Sequence, residues 1–113
     1  MQHTTWTDEE KKIARRVASA ALQRELAEVM AEFKSRAADA AHADDMWSVL
    51  EYLARARQRI DTKYDFRYSQ LPLVLGTLLC EKRIEAEDLT GLSDAKRRCV
   101  RAVAALGARG NAG

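Results

Sequence analysis

The sequence predicts an all-α fold with long amphipathic helices, a small C-terminal helical head and assembly into a homodimer. Glycine and proline, which interrupt helices, are absent before Pro72, and three of the five glycines lie in the last seven residues. The first 71 residues are instead rich in Ala, Leu, Glu, Arg and Lys, which favour helix. Apolar residues recur there with the spacing of one helix face. We therefore expect one helical domain over residues 1–107, followed by a flexible tail over 108–113.

The first helix is predicted over residues 8–38 and begins at a capping box. Thr7 and Glu10 have the spacing at which each side chain bonds the other residue's backbone N–H. An unbroken helix of this length measures roughly 45 Å. A compact domain of this size has a radius of gyration near ~13 Å, so the helix should extend beyond its own core. Its apolar stripe then needs a second chain to cover it, and it comprises Ile13, Val17, Ala21, Leu26, Met30, Phe33 and Ala37.

The second helix is predicted over residues 45–65, with Asp44 or Asp45 as its N-cap. Trp47 and Glu51 lie at the edge of its apolar face. Tryptophan is enriched at binding hot spots, so core packing and an interface anchor are equally good interpretations of Trp47. An arginine within this apolar face, Arg57, either extends to solvent or pairs across an interface. The predicted face itself consists of Met46, Val49, Leu50, Leu53, Ile60 and Tyr64.

The third helix is predicted over residues 70–83. Ser69 can cap it, and Pro72 falls in its first turn, where the missing N–H costs nothing. The apolar residues cover more than one helix face, which predicts burial in a core or an interface. They are Leu71, Leu73, Val74, Leu75, Leu78 and Leu79.

A single turn is expected over residues 85–88, before a last helix over 93–106. Ser93 is the predicted N-cap of that helix, and Gly107 is predicted to close it. A basic cluster lies early in the helix, where it opposes the positive end of the helix dipole. It is either a solvated face or a contact for phosphates or an acidic partner. Its members are Lys96, Arg97, Arg98 and Arg101.

Catalytic and metal-binding motifs are missing from the sequence, so we expect neither an enzyme nor a bound cofactor. One acidic segment has the composition of a metal cluster, but an interhelical turn with capping carboxylates is the better interpretation. It contains Asp39, His42, Asp44 and Asp45. The net charge of +2 is low for a dedicated nucleic-acid binder. Residues 1–5 lack the charged-then-apolar pattern of a signal peptide, so we expect a cytoplasmic protein that does not contact membranes.

Several short motifs, in order and at compatible spacing, resemble the fluorescence recovery protein family. The strongest are the tryptophan and the I-D-x-K-Y-D run, and the similarity extends from about Trp6 to Leu106. The motifs are Arg24-Glu25-Leu26, Asp44-Asp45-Met46-Trp47, Ile60-Asp61-Thr62-Lys63-Tyr64-Asp65 with Arg67, and Ala86-Glu87-Asp88-Leu89-Thr90. This resemblance implies an all-helical homodimer that is not an enzyme. It also implies binding to the photoactivated orange carotenoid protein, faster return of that partner to its dark-stable form and an end to photoprotective quenching.

The resemblance and the apolar face of the second helix together give the candidate site residues. The partner-binding candidates are Trp47, Glu51, Arg57, Leu73, Arg98 and Arg101. The dimer-interface candidates are Met46, Trp47, Leu50, Leu53 and Arg57. The chain departs from the family pattern at four positions, with Glu51 for an Asp, Leu50 for a His, Leu73 for an aromatic and Cys99 for a Lys. These departures leave open a dimeric adaptor with a different partner. The basic cluster of the last helix leaves open a weak nucleic-acid-binding helical protein.

Overall fold

The computed structural model describes residues 5–112, with side chains through residue 108. These residues form four α-helices and one 3-10 turn, which confirms the predicted all-α class. The elements are α1 (Asp8–Asp39), α2 (Ala43–Lys63), α3 (Leu71–Cys80), the 3-10 turn (Ala86–Leu89) and α4 (Asp94–Ala112). None of these described helices is long and apolar enough to cross a membrane.

Helix α1 begins at the predicted capping box and extends far beyond the core. Thr7 Oγ1 accepts from the Glu10 N–H at 3.0 Å, and Glu10 Oε1 accepts from the Thr7 N–H at 3.1 Å. The described molecule measures 56 × 33 × 24 Å, and its radius of gyration of 16.9 Å exceeds the compact value of ~13 Å. Residues 26–39 of α1, all of which the structure describes, include no buried residue. The predicted overhang is therefore confirmed.

The buried stripe of α1 differs from the predicted one in its second half. Ile13, Val17 and Ala21 are buried as expected, but the series continues four residues later with Glu25. Leu26 and Met30 were expected on the same stripe, yet they are 41% and 53% exposed. The reason is geometric, because a step of five residues from Ala21 to Leu26 rotates the side chain away from the buried face.

The core lies at one end of the molecule, which we call the head. The first half of α1 packs there against α3 and the 3-10 turn, and the most extensive contact is between α3 and α4. Most of the apolar residues of α3 are buried, as predicted. Leu73 was expected to be buried with them but is 53% exposed, because it lies on the side of the helix that faces away from the core. The other end, which we call the stem, consists of residues 26–39 of α1 together with α2. The largest fully buried apolar side chains all belong to the head: Leu71, Leu75, Leu78, Leu89 and Val100.

Helix α2 begins two residues earlier than predicted and ends at Lys63. Its N-cap position is His42, so neither predicted aspartate is the N-cap. Asp45 instead lies in the first turn, where its Oδ2 accepts from the backbone N–H groups of Ala41 and His42 at 2.9 and 3.0 Å. These bonds account for the lowered pKa of the Asp45 carboxyl. The Asp45 carboxylate thus binds the backbone that precedes the helix, although Asp45 itself lies in the first turn and not at the N-cap position.

Helix α3 begins at Leu71 after Gln70, not Ser69, and it ends three residues before the predicted boundary. Lys82 adopts the left-handed conformation with φ 62°. Its N–H donates to Leu79 O at 3.1 Å, and the Arg83 N–H donates to Leu78 O at 2.9 Å. This pair of bonds is a Schellman motif, which ends the helix at Cys80. The motif normally uses glycine, so a lysine in this position gives no sequence indication of the helix end.

Helix α4 starts as predicted but does not end at Gly107. Ser93 Oγ accepts from the Lys96 N–H at 3.2 Å, which confirms the N-cap. The helix continues to Ala112, so the expected tail is helical over 108–112, while Gly113 lies outside the described residues. A Cβ added to Gly107 would lie 3.1 Å from Cys80 Sγ. The glycine therefore permits close packing on α3, and the alanine-rich sequence around it sustains the helix.

Candidate functional site on the stem and head

The exposed side of α2 carries the apolar residues expected at an interface. The face predicted from periodicity divides in two, because Ile60 and Tyr64 are buried whereas Met46 and Leu50 are 53% and 57% exposed. Trp47 is 59% exposed, so it does not pack in the core. We call this side of the helix the α2 face. It consists of four exposed residues, Met46, Trp47, Leu50 and Arg57, together with the half-buried Leu53.

An open depression of about 470 Å³ lies along the α2 face. Leu50, Leu53 and Arg57 line it together with polar residues of the following turns. Arg57 Nε lies 3.6 Å from Asp61 Oδ2, and both side chains remain largely exposed. Glu51 pairs in the same loose way with Arg55, at 3.6 Å. Such exposed pairs contribute little stability, so the charged groups beside the depression are available to a partner.

The stem exposes most of the large apolar side chains on the described surface. Five of the seven large apolar residues that are exposed belong to the stem. Helix α1 contributes two of them and the start of α2 contributes three: Leu26, Met30, Met46, Trp47 and Leu50. Exposed apolar surface concentrated in one region is typical of a protein-protein contact.

The head carries a second depression, which is separate from the α2 face. It has a volume of about 460 Å³ and lies between α3 and α4. Leu73 and Leu106, which are 53% and 64% exposed, line it together with Cys80 and Val103. The candidate residue Leu73 therefore belongs to a different surface from Leu50, Leu53 and Arg57.

The basic cluster of α4 is smaller than the sequence indicated. Arg98 and Arg101 are exposed, but Arg97 pairs with Asp94. Lys96 is only 6% exposed, and its Nζ donates to Thr5 O at 2.7 Å and to Glu10 Oε1 at 3.1 Å. Lys96 is therefore part of the interior, and only two arginines of the cluster face solvent without a partner in the described chain.

A buried network around Glu25 joins the stem to the head, and sequence reasoning missed it. Glu25 is 1% exposed, and its Oε1 accepts from Tyr64 Oη at 2.8 Å. Its Oε2 accepts from Lys63 Nζ at 3.0 Å, and Lys63 also donates to Glu81 at 2.7 Å. Arg83 Nε approaches Glu25 to 3.5 Å. The spacing of four residues after Ala21 places position 25 on the buried stripe, but nothing in the sequence identifies Lys63, Tyr64 and Arg83 as its partners.

Two buried glutamates have lowered pKa values. Burial alone would raise the pKa of Glu25, but hydrogen bonds from Lys63 and Tyr64 outweigh burial and lower it. Burial also opposes ionisation of Glu10, yet bonds from the Thr7 and Ser93 N–H groups and from Lys96 lower its pKa to about 2. Both carboxylates are thus charged and fully paired. They hold the structure together and do not point to proton transfer.

Metal ligation finds no support in the part of the chain that the structure describes. No group of three or more His, Cys, Asp or Glu side chains there could hold a metal ion. Asp45 belongs to the acidic segment that has the composition of a metal site. Its carboxylate accepts hydrogen bonds from the backbone N–H groups of Ala41 and His42 before α2.

Comparisons with known proteins agree on one family. The family model described as photoprotection regulator fluorescence recovery protein matches residues 6–104. The fluorescence recovery protein of a Synechocystis species is 35% identical over 101 residues, which cover 89% of this chain and 93% of that relative. A solved structure of the Synechocystis protein has a TM-score of 0.84 at 34% identity, covering 89% of this chain and 99% of that one. The Fremyella diplosiphon fluorescence recovery protein has the same TM-score and coverage at 27% identity.

Proposed function

The chain belongs to the fluorescence recovery protein family, and from this membership we propose that it is a homodimeric regulatory protein that acts by binding. Its proposed partner is the photoactivated orange carotenoid protein. Binding would accelerate the return of that partner to its dark-stable form and so end photoprotective quenching. This activity needs no bound cofactor and no catalytic residue on this chain.

The observation that carries the proposal is the exposed α2 face on a stem that extends beyond the core. A monomer would leave Met46, Trp47 and Leu50 more than half exposed to water. Each Å² of apolar surface removed from water contributes about 25 cal/mol to the stability of a complex. Burial of two α2 faces against each other therefore contributes favourably to the free energy of dimer formation. The face is amphipathic, with Arg57 beside the apolar residues, and this composition suits a homodimer interface. We therefore assign Met46, Trp47, Leu50, Leu53 and Arg57 to the dimer contact.

The partner surface is proposed to include residues of both the stem and the head. Trp47, Glu51 and Arg57 lie on or beside the α2 face, and Leu73 lies at the head depression. The exposed arginines of α4 would add a positively charged contact, and they are Arg98 and Arg101. A binding protein shifts a two-state partner only by its differential affinity for the two states. Acceleration further requires that the complex lower the barrier between them.

The direct test is a recovery assay in the dark. Orange carotenoid protein is illuminated, mixed with increasing amounts of this protein, and followed from its red to its orange absorption. We expect the recovery rate to rise with protein concentration. An unchanged rate at excess protein contradicts the proposed partner.

A variant of the head depression separates partner binding from dimer formation. The Leu73→Glu variant places a charge at the head depression while leaving the α2 face intact. We expect it to keep the native sedimentation coefficient and to lose most of the acceleration. A variant with full acceleration would remove Leu73 from the partner surface.

A dimeric adaptor with a different partner is the second candidate function. The observation behind it is chemical, because the exposed positions Leu50, Leu73 and Cys99 differ in type from the family pattern. Stable dimers that fail to accelerate recovery would favour this adaptor. The nucleic-acid alternative has less support, since burial of Lys96 removes one cation from the proposed basic surface.

A further inference from the structure

Residues 11–16 of α1 include four cations that lack ion pairs within the described structure. We call them the α1 basic face, and they are Lys11, Lys12, Arg15 and Arg16. None of them lies within 4.0 Å of a carboxylate oxygen among the described residues. Lys12, Arg15 and Arg16 are exposed, and Lys11 is half-buried. The face is remote in sequence from α2 and from the arginines of α4.

Helix stability does not account for this arrangement. Lys11 and Arg15 are four residues apart, as are Lys12 and Arg16, and like charges at this spacing repel across one helical turn. Lys11 also lies in the first turn of α1, beside its positively charged N-terminal end. Asp8 stands four residues before Lys12 and offsets part of this repulsion, but Lys11, Arg15 and Arg16 have no acidic residue four positions before them. The repulsion is thus a small cost that a negatively charged partner would remove.

One of the cations, Arg15, is held in a fixed orientation. Its Nε donates to Tyr68 Oη at 2.8 Å, and its Cζ lies 5.0 Å from the centre of the Tyr68 ring. Lys11 Nζ lies 5.1 Å from the same ring. Trp6 holds Tyr68 in turn, since its Nε1 donates to Tyr68 O at 3.2 Å. Because only Nε of Arg15 is engaged, its two terminal nitrogens remain able to bind both oxygens of a carboxylate.

Acidic residues border the basic face and limit the size of its ligand. Asp8 and Glu9 lie one turn before Lys12. On the other side, Arg16 shares a cleft of about 370 Å³ with Glu87 and Asp88 of the 3-10 turn. A long polyanion such as duplex nucleic acid would approach these carboxylates, and the net charge of +2 provides little long-range attraction for it. A short peptide segment with a few carboxylates can contact the four cations without reaching the bordering acidic residues, and it does not depend on long-range attraction.

We propose that the α1 basic face is a docking surface for an acidic protein segment, with Arg15 as the bidentate carboxylate contact and Lys11, Lys12 and Arg16 around it. This surface is distinct from the α2 face and from the head depression. Its existence does not depend on the identity of the carotenoid-binding partner.

A matched pair of double variants tests the proposal with the full-length protein. The probe is a short fluorescein-labelled glutamate-rich peptide, and its binding is measured by anisotropy at low and at physiological salt. The Lys12→Gln/Arg15→Gln variant removes two exposed cations from the α1 basic face. The Arg98→Gln/Arg101→Gln variant removes the same charge at the same sequence spacing from α4. Circular dichroism establishes that both variants keep the helical content of the native protein.

We expect the α1 variant to weaken peptide binding by about five- to tenfold, because a held arginine and its neighbour are lost. The α4 variant should change it by less than about twofold, because only long-range charge is altered. The Arg15→Lys variant keeps the positive charge but loses the paired N–H donors of the guanidinium group. Its affinity for the peptide should therefore lie between those of the native protein and the double variant.

Other results would overturn the proposal. Equal weakening by the two double variants means that net charge, not the α1 basic face, attracts the peptide. Absence of peptide binding even at low salt removes the surface altogether. Tighter binding of duplex DNA than of peptide, with the same dependence on Lys12 and Arg15, assigns the surface to nucleic acid instead. Native affinity in the Arg15→Lys variant removes the bidentate contact.

Discussion

The carboxylate of Glu25 accepts a hydrogen bond of 2.8 Å from the phenol of Tyr64, and this contact joins the middle of α1 to the end of α2. Lys63 binds the same carboxylate, and Arg83 approaches it from the segment after α3. The stem and the head meet at this point. The two motifs Arg24-Glu25-Leu26 and Ile60–Asp65 are therefore adjacent in space, although they are far apart in sequence. Glu25 fixes how α2 leaves the core, and so it fixes the position of the α2 face relative to the head.

Replacement of Glu25 by glutamine should strongly destabilise the fold. Glutamine can still accept from Tyr64, but it leaves Lys63 with only Glu81 as a charged partner at a site where the Lys63 side chain is 7% exposed. Removing one member of a buried ion pair costs about 3–5 kcal/mol. The free energy of unfolding is measured in urea at one fixed protein concentration, because dimer formation would otherwise contribute.

The matched control for this variant is Glu28→Gln, which removes another carboxylate of the same helix. Glu28 pairs with Arg83 at 2.9 Å, but its side chain is 63% exposed. An exposed pair contributes about 0–1 kcal/mol, so the control should remain close to the native stability. Equal losses in the two variants would mean that burial of Glu25 has no special importance.

Protonation of Glu10 should weaken the fold in a defined pH range. The pKa of Glu10 is lowered from 4.5 to about 2 in the folded protein, so its stabilising contribution is complete above about pH 4.5 and is lost as the pH falls towards 2. The contribution corresponds to on the order of 3 kcal/mol. The free energy of unfolding is measured between pH 7 and pH 2 for the native protein and for Glu10→Gln. The two curves should converge at low pH, and a constant separation would contradict this assignment.

A charge on the α2 face should prevent dimer formation. Trp47→Glu places a carboxylate where the proposed dimer buries an aromatic ring, and an unpaired charge there is costly to desolvate. We expect sedimentation velocity to give a single species at the monomer mass of 12.7 kDa for the variant and at twice that mass for the native protein. Leu106→Glu introduces the same charge on the exposed surface of the head and should remain dimeric. A Trp47→Glu variant that stays dimeric would refute the proposed interface.

The sequence predicts well those features that depend on a few neighbouring residues. The capping box of Thr7 and Glu10 and the N-cap at Ser93 are local hydrogen-bond patterns, and both are present in the structure. The overhang of α1 follows from its length alone. Exposure of Trp47 could not be decided from sequence, because an apolar residue at a helix edge suits a core and an interface equally.

The features that sequence analysis missed depend on contacts between distant segments. Glu25 looks like a surface glutamate until Lys63 and Tyr64, almost forty residues away, are placed beside it. Lys96 looks like part of a basic cluster for the same reason, since Glu10 and Thr5 O are 86 and 91 residues away in sequence. Charged residues are usually exposed, so a pattern of charge along one helix cannot show which members have buried partners.

Replacement by alanine of the two glycines at the α3–α4 contact, Gly76 and Gly107, should change the free energy of unfolding in opposite directions. A Cβ on Gly76 would lie 2.4 Å from Val103 Cγ1 and 2.9 Å from Val100 O, so the two helices would have to separate. We expect Gly76→Ala to lower the free energy of unfolding by about 1–3 kcal/mol. A Cβ on Gly107 would lie 3.1 Å from Cys80 Sγ, which a small side-chain shift can relieve. Within a continuous helix, alanine is favoured over glycine by about 0.5–1 kcal/mol.

Gly107→Ala should therefore be neutral or stabilising, and urea denaturation of the two variants measures the contrast. This pair also tests how α4 ends. If Gly107 closed the helix in a left-handed conformation, as the sequence predicted, alanine would be strained there and would destabilise the protein. Because the helix continues to Ala112, the structure requires the opposite sign. A clear loss of stability in Gly107→Ala would place the end of α4 at the glycine after all.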